Sequence, residues 1–219
     1  MTRARTLGLC CMVVFAVSAT LTASASAVLP EFVGPFPTPF TAKSGATTLE
    51  TVKKATITCA TDTAIGEVSG PKSGVETITF SGCELVTLSI PCNSVGLPPG
   101  EIVTAPLLMT LGYISGPKKE AGIDLSTATG GPLMTFLCGP LRVLVDGSVI
   151  GKITPVNKLV KPPAHFMLKF VQAAGKQKPP KFEGGPIDVL FTSFGGPFVE
   201  SGLSTTETIA FGPPTMVLA

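Results

Sequence analysis

The sequence has no tryptophan, one tyrosine (Tyr113) and one histidine (His165), and after residue 27 its only arginine is Arg142. Proteins that bind bases by stacking present several aromatic side chains, and planar recognition of phosphate or carboxylate favours arginine. A single histidine supplies no catalytic triad by itself. The chain therefore lacks most side chains that commonly carry catalysis or specific recognition, and we expect His165 to be a surface or structural residue.

Sequence motifs of common catalytic and binding sites are also missing. The segment GSVIGKI (147–153) is one residue short of a phosphate-binding P-loop between its glycines, and Ile153 follows its lysine. The chain contains no Gly-x-Ser-x-Gly motif and no calcium-loop pattern of alternating Asp or Asn. We therefore expect no catalytic residue, no cofactor and no metal site.

The acidic residues are spread singly along the chain, and none lies in an aromatic-rich segment. They include Glu50, Glu67, Glu76, Glu101, Asp124, Asp146, Glu183, Asp188, Glu200 and Glu207. Separation in sequence does not determine separation in space, so two carboxylates could still meet and hydrolyse a glycan. An extracellular glycan hydrolase is kept as an alternative hypothesis, although we expect no enzyme activity.

The first 27 residues are typical of a secretory signal peptide. Arg3 and Arg5 form a basic start, Leu7–Val17 an uncharged apolar core, and Ala25-Ser26-Ala27 a cleavage site of small residues. The apolar core is shorter than the roughly 20 residues that span a bilayer. We predict cleavage after Ala27, followed by release or loose attachment to the cell surface, and no membrane span in the remainder.

The cysteines agree with export. Cys10 and Cys11 lie within the predicted signal peptide, and four remain after it: Cys59, Cys83, Cys92 and Cys138. An even number in an exported chain predicts disulfides, and the spacing suits neither a zinc site nor a Cys-x-x-Cys redox pair. Of the pairings that four cysteines allow, we favour Cys83–Cys92 with Cys59–Cys138, although the sequence alone does not decide.

Apolar and polar residues alternate with a period of two in many segments. Examples are TTLETV, KATITCATD, GVETITF, RVLVDGSVIGKI, HFMLKF and IDVLFTSF. In GVETITF, Glu76, Ile78 and Phe80 share one face. Because β-branched residues are frequent and glycine or proline separates the segments, the pattern predicts an all-β fold. We expect a single-domain antiparallel β-sandwich or distorted barrel, with little or no helix after the signal peptide.

The chain after the signal peptide is divided into three parts: a proline-rich extended lead-in (28–45), the all-β domain (46–212) and a C-terminal tail (213–219). Within the domain, ETITF (76–80) is echoed by ETIAF (207–211), and two segments repeat a strand, Ser-Gly-Pro-Lys, strand order. We interpret the repeated turns as hairpin chemistry rather than duplicated ligand loops.

Charge is segregated along the chain. The 192 residues after Ala27 hold 14 basic and 14 acidic residues, which argues against a strongly basic nucleic-acid binder. No acid occurs between Asp146 and Glu183, although that span holds His165 and seven lysines: Lys152, Lys158, Lys161, Lys169, Lys176, Lys178 and Lys181. One interpretation is an anion-binding face. The alternative is an ordinary outer strand face, partly neutralised by acids on neighbouring strands.

Several motifs carry a resemblance to a known family. The segments KSGATTLETV, AIGEVSGPKSG, GEIVTAPLLMTLGYI, GSVIGKITPVNK and KFEGGPIDVLFTSF, within residues 28–211, resemble a paralogue-rich family of secreted proteins from soil actinobacteria. The resemblance implies a secreted, all-β protein and implies no activity, cofactor or catalytic residue.

These observations lead to one functional expectation and two alternatives. We expect a secreted, non-catalytic protein of the extracellular space or cell envelope that binds anionic surface polymers, with no specific nucleic-acid partner. The alternatives are the glycan hydrolase and a self-associating coat protein.

Overall fold

The structure, a computed structural model, describes residues 30–128 and 130–219, and every regular element in this part of the chain is a β-strand. The predicted signal peptide, with Cys10 and Cys11, lies outside the described residues. The strands of the N-terminal half are β1 (Glu31–Val33), β2 (Thr38–Ser44), β3 (Thr47–Thr51), β4 (Thr56–Cys59), β5 (Thr61–Gly70), β6 (Ser73–Ser81), β7 (Glu84–Leu85), β8 (Ile90–Asn93) and β9 (Ile102–Val103). Those of the C-terminal half are β10 (Leu107–Ser115), β11 (Glu120–Thr127), β12 (Met134–Cys138), β13 (Leu141–Gly147), β14 (Val149–Thr154), β15 (Ala164–Ala173), β16 (Lys176–Lys178), β17 (Leu190–Ser193), β18 (Val199–Phe211) and β19 (Met216–Leu218).

Eight strands close into an antiparallel barrel. Around the barrel the order is β10, β11, β14, β15, β18, β2, β5 and β6, and β6 pairs back with β10. Both Ser-Gly-Pro-Lys segments form hairpins of this barrel, one joining β5 to β6 and the other β10 to β11. The predicted all-β, antiparallel, single-domain fold is confirmed, and its form is a closed barrel in which each of the eight strands pairs with two neighbours.

A second, smaller ring of strands continues from the barrel. Its order is β3, β4, β7, β8, β12, β13, β17 and β18, and β18 pairs back with β3. The long strand β18 belongs to both rings, because Ser201–Ser204 pair with β3 whereas Thr205–Phe211 pair with β15. We call the junction between the rings the waist; it is marked by strand breaks at residues 45–46, 60, 82–83 and 148.

The apolar faces predicted from the alternation form one core that runs through both rings. In HFMLKF, Phe166, Leu168 and Phe170 are buried and the residues between them are exposed. The ring of Phe211 packs edge-on against Phe166, with 5.7 Å between the ring centroids, and tilted against Phe40 at 5.5 Å. Each such side chain stabilises the fold by about 1.5–3 kcal/mol through burial.

The structure differs from the predicted division at both ends. Residues 28–45 contain β1 and the central barrel strand β2, and residues 213–219 contain β19, which pairs with β1. Pro39 is tolerated within β2 because the pairing with β18 begins only at Phe40, so one side of the strand has no neighbour at Pro39. Both terminal segments are therefore part of the folded body.

Two disulfides brace the smaller ring: Cys59–Cys83 and Cys92–Cys138. The favoured pairings, Cys83–Cys92 and Cys59–Cys138, are therefore both wrong. Cys83 and Cys92 are nevertheless close, since the Cys92 N–H donates to the Cys83 carbonyl at 2.9 Å. Hydrogen-bonded antiparallel pairs hold their Cα atoms farther apart than non-hydrogen-bonded pairs do. Cys92 and Cys138 face each other with Cα atoms 4.1 Å apart, and their side chains bond instead.

Candidate functional site

The seven lysines of the acid-free span do not form one compact patch. Lys152, Lys169, Lys176 and Lys178 lie on the outer surface of β14, β15 and β16, and we call this surface the lysine face. Lys152 and Lys169 occupy directly paired positions on β14 and β15. Lys158 and Lys161 lie in the connection between β14 and β15, beyond the end of the barrel strands, and Lys181 lies in the connection that follows β16.

Acids neutralise only part of the lysine face. Lys152 Nζ lies 2.6 Å from Glu120 Oε1, and Lys176 Nζ lies 3.9 Å from Glu200 Oε2. Within residues 30–128 and 130–219, neither Lys169 nor Lys178 has a carboxylate within ion-pair distance. The charge separation seen in the sequence is thus reduced in the fold but retained around Lys169.

A groove of about 500 Å³ opens beside Lys169 at the waist. It forms where β18 changes partner: the pairing with β2 stops at Glu207 and Ser44, and the pairing with β3 starts at Ser204 and Thr48. Three residues on one side (45–47) face two on the other (205–206), which spreads the strands as a β-bulge does. The groove is lined by Lys169 and by hydroxyl residues, Thr48, Ser204, Thr205 and Thr206 among them.

His165 lies exposed on the outer surface of β15, as expected of a surface residue. It borders a shallow depression of about 430 Å³ together with Thr41, Thr63, Ile65 and Thr208. None of the residues that line this depression is acidic, so nothing there orients the imidazole as a catalytic base requires.

Three carboxyl groups lie inside the barrel, and we call them the interior carboxyls: Asp62 on β5, Glu76 on β6 and Glu207 on β18. Only 1–2% of each of these residues is exposed. Asp62 accepts hydrogen bonds from Ser44 Oγ and, at 2.8 Å, from Thr47 Oγ1. Both Oε atoms of Glu76, Oε2 of Glu207 and Oδ1 of Asp62 have no hydrogen-bond partner.

The environment of the interior carboxyls favours their protonated form. Burial, with a contribution from the charge of Asp62, raises the pKa of Glu76 to about 7. Burial also raises the pKa of Glu207 well above its ordinary value, with Glu76 and Asp62 adding to the effect. Burial raises the pKa of Asp62, although the hydrogen bonds from Ser44 and Thr47 oppose the shift. At mildly acidic pH Glu76 and Glu207 are therefore largely neutral members of the core.

A fourth buried acid lies outside the barrel wall. Asp124 on β11 is buried, and the connection between β16 and β17 places Asp188 near it and Phe182 against Gly112 on β10. Burial, with a contribution from the charge of Asp188, raises the pKa of Asp124 to about 7.

The interior carboxyls give no support to the glycan-hydrolase hypothesis. The residues paired with them across the sheet are Leu168, Ser44, Phe80, Gly66 and Leu107. These neighbours close the acids into a packed interior, whereas a hydrolase needs its carboxyl pair in a cleft that the polymer can enter. Among residues 30–128 and 130–219 no group of His, Cys, Asp and Glu side chains is arranged to hold a metal ion.

Sequence reasoning missed the interior carboxyls as a group, although a signal for two of them was present. The alternation of GVETITF places Glu76 on the same face as Ile78 and Phe80, which is unusual for an acid. The echo ETIAF does the same for Glu207, with Ile209 and Phe211.

Comparison with known proteins yields no relative: no family model, no curated protein and no solved structure matches the chain. The resemblance to secreted actinobacterial proteins stays a prediction. In the described part of the chain no helix is long and apolar enough to cross a membrane. Two disulfides in a barrel fit an exported protein.

Proposed function

We propose that the protein is a secreted, non-catalytic binding protein of the extracellular space or cell envelope, and that its lysine face binds anionic polymers. The observation that carries the proposal is the direct pairing of Lys152 with Lys169 on neighbouring strands. Like charges in directly opposite positions repel each other and destabilise the pair. Glu120 offsets this for Lys152 alone, so an anion bound at Lys169 would relieve the remaining repulsion.

The neighbourhood of Lys169 suits a chain-like ligand. Lys178 lies opposite Val171 on the β15–β16 hairpin, two residues along β15 from Lys169. The groove at the waist continues from Lys169 past threonine and serine hydroxyls, which are suitable donors and acceptors for sugar hydroxyls. A polymer carrying carboxylate or phosphate groups could place its anions on the lysines and its backbone in the groove.

The test is binding of the folded protein to polygalacturonate and, separately, to polyphosphate, which distinguishes carboxylate from phosphate as the preferred anion. The variant Lys169→Gln/Lys178→Gln should lose at least about tenfold in affinity, and the salt dependence of binding should become shallower because fewer counterions are released. The matched control is Lys158→Gln/Lys161→Gln, which removes the same charge from the connection between β14 and β15.

We expect the control to change affinity by less than about twofold, because its lysines lie away from the groove. Equal losses in both variants would mean that net charge alone governs binding and would overturn the assignment to the lysine face. Binding that does not weaken with salt would contradict an electrostatic ligand.

A further inference from the structure

The interior carboxyls are close enough for their charges to interact, yet no cation accompanies them. Asp62 and Glu76 each contribute to the raised pKa of Glu207. In residues 30–128 and 130–219 no lysine, arginine or histidine is buried. A carboxylate in such an interior has lost its water without gaining a counter-charge, which is costly. The protonated carboxyl avoids this cost because it carries no charge.

Two of these acids, Asp62 and Glu207, are connected to the waist. Ser44 ends β2, is paired with Glu207 on β18, and donates its hydroxyl proton to Asp62. Thr47 begins β3, bonds to Asp62 and lies 3.0 Å, oxygen to oxygen, from Thr205 on β18. Asp62 and Glu207 therefore border the place where β2, β3 and β18 exchange partners and where the groove lies on the outer side of the barrel. Glu76 lies farther along the barrel, on β6, and is linked to Glu207 through the interaction of their charges.

We propose that Asp62, Glu76 and Glu207 form a proton-dependent latch. While they carry protons the barrel is closed at the waist, and loss of those protons loosens the seam between β18 and β2. The proposal is independent of the lysine face, because it concerns the inner surface of the barrel.

Most of the groups that face the latch favour this behaviour, whereas the hydroxyls of Ser44 and Thr47 donate to Asp62 and favour its ionised form. From β2 and β3 come the hydroxyls of Ser44 and Thr47, and the strands β15, β6 and β10 contribute the apolar side chains of Leu168, Phe80 and Leu107. The charged groups in the interior are the three carboxyls themselves. Ionised Asp62 keeps two hydroxyl donors, whereas ionisation of Glu76 or Glu207 meets another carboxyl or apolar surface. Water entering through the interrupted seam is the available source of further solvation.

The direction of the pH effect follows from proton linkage. In the unfolded chain these groups ionise at ordinary acidic pH, whereas in the folded barrel they hold their protons to higher pH. The stabilisation is thus complete below about pH 4 and is lost as pH rises through the pKa of each folded carboxyl, which for Glu76 is about 7. The unfolding equilibrium constant should rise with pH. Each carboxyl that is protonated in the folded state and ionised in the unfolded state contributes up to about a tenfold rise for each unit of pH increase.

The first experiment measures denaturant unfolding of the protein between pH 4 and pH 9, in wild type and in Glu207→Gln. The amide keeps the shape of the carboxyl without its charge. The slope of the unfolding free energy against pH should therefore be shallower in the variant, by the release of up to about one proton. Glu67→Gln is the matched control, because Glu67 lies on β5 with Asp62 but is not buried. Equal slopes in Glu207→Gln and wild type would overturn the latch.

The second experiment needs no substitution. Carboxyl ¹³C resonances of glutamate in the wild-type protein should include one that titrates near pH 7, and titration of every glutamate below about pH 5 would overturn the latch. Amide exchange locates the opening: protection of Ser44 and Thr208 in the seam should fall with pH before that of Val143 in the smaller ring. A uniform fall would show that the whole fold, rather than the seam, responds.

Discussion

Glu76 and Glu207 occupy the first position of the same five-residue pattern, Glu-Thr-Ile-x-Phe, and both lie buried inside one barrel. Their strands are three positions apart around the barrel, with β2 and β5 between them. Each pattern places Ile and Phe in the core on the same face as its acid, so the two copies bring two like charges into one apolar interior.

This relationship predicts a pH-dependent coupling between the two acids. In a double-mutant cycle of Glu76→Gln and Glu207→Gln, the double variant at pH 9 should gain less stability than the sum of the single gains, because either substitution removes the same repulsion. We expect an interaction energy of about 0.5–2 kcal/mol at pH 9 and close to zero at pH 4.5, measured by urea unfolding. A coupling that is the same at both pH values would show that the charges do not interact.

Asp124 predicts a second, separate pH effect. Its pKa is raised to about 7 by burial and by Asp188, so its stabilising contribution is complete below about pH 4 and is lost as pH rises through 7. Asp124→Asn should therefore be more stable than wild type at pH 8, by about 1–3 kcal/mol, and should show no such gain at pH 4. The control is Asp146→Asn, because Asp146 is only partly buried. If the two variants have the same pH dependence, Asp124 is not desolvated in solution.

The strands themselves could be predicted, because period-two alternation needs only local information. The alternation of HFMLKF and GVETITF grouped the residues of β15 and β6 correctly onto two opposite faces, one buried and one turned outward. The closure into two rings could not be predicted, because it depends on the partners of β18. This strand pairs with β2 and β3, which lie 150 or more residues away along the chain. Such pairings are set by packing of the whole core.

Asp62 shows why one member of the site escaped the pattern. Continuous alternation in KATITCATD would place Asp62 on the face opposite Ile57 and Cys59, toward solvent. The break at residue 60, between β4 and β5, shifts the alternation by one residue, and Asp62 turns to the interior. A one-residue shift reverses every side chain that follows it, and nothing in the local sequence marks this position as a break.

The disulfides predict a graded loss of stability. Cys92→Ala/Cys138→Ala opens a cross-link between residues 46 apart, and Cys59→Ala/Cys83→Ala one between residues 24 apart. Each double substitution should cost about 2–4 kcal/mol, and the first should cost about 0.6 kcal/mol more because the longer loop loses more entropy on closure. Guanidinium unfolding at pH 5 gives the comparison.

The pairing can be checked on the wild-type chain by non-reducing peptide mapping. A fragment that joins the segments around Cys83 and Cys92, without Cys59 or Cys138, would contradict the structure.

Glycine at position 66 is required by the packing around the latch. Gly66 lies directly opposite Glu76 on β6 and Phe40 on β2, and a Cβ atom there would meet the Phe40 ring and lie 2.5 Å from the Val75 carbonyl oxygen. Gly66→Ala should therefore destabilise the protein by about 1–3 kcal/mol, since neither a packed aromatic ring nor a strand backbone moves freely. Gly45→Ala is the control: its Cβ would meet nothing within 4 Å, so unfolding at pH 5 should change by less than about 1 kcal/mol. If both variants unfold at the wild-type denaturant concentration, the interior around Glu76 has more room than its close contacts indicate, and water could then reach the carboxyl without any opening of the seam.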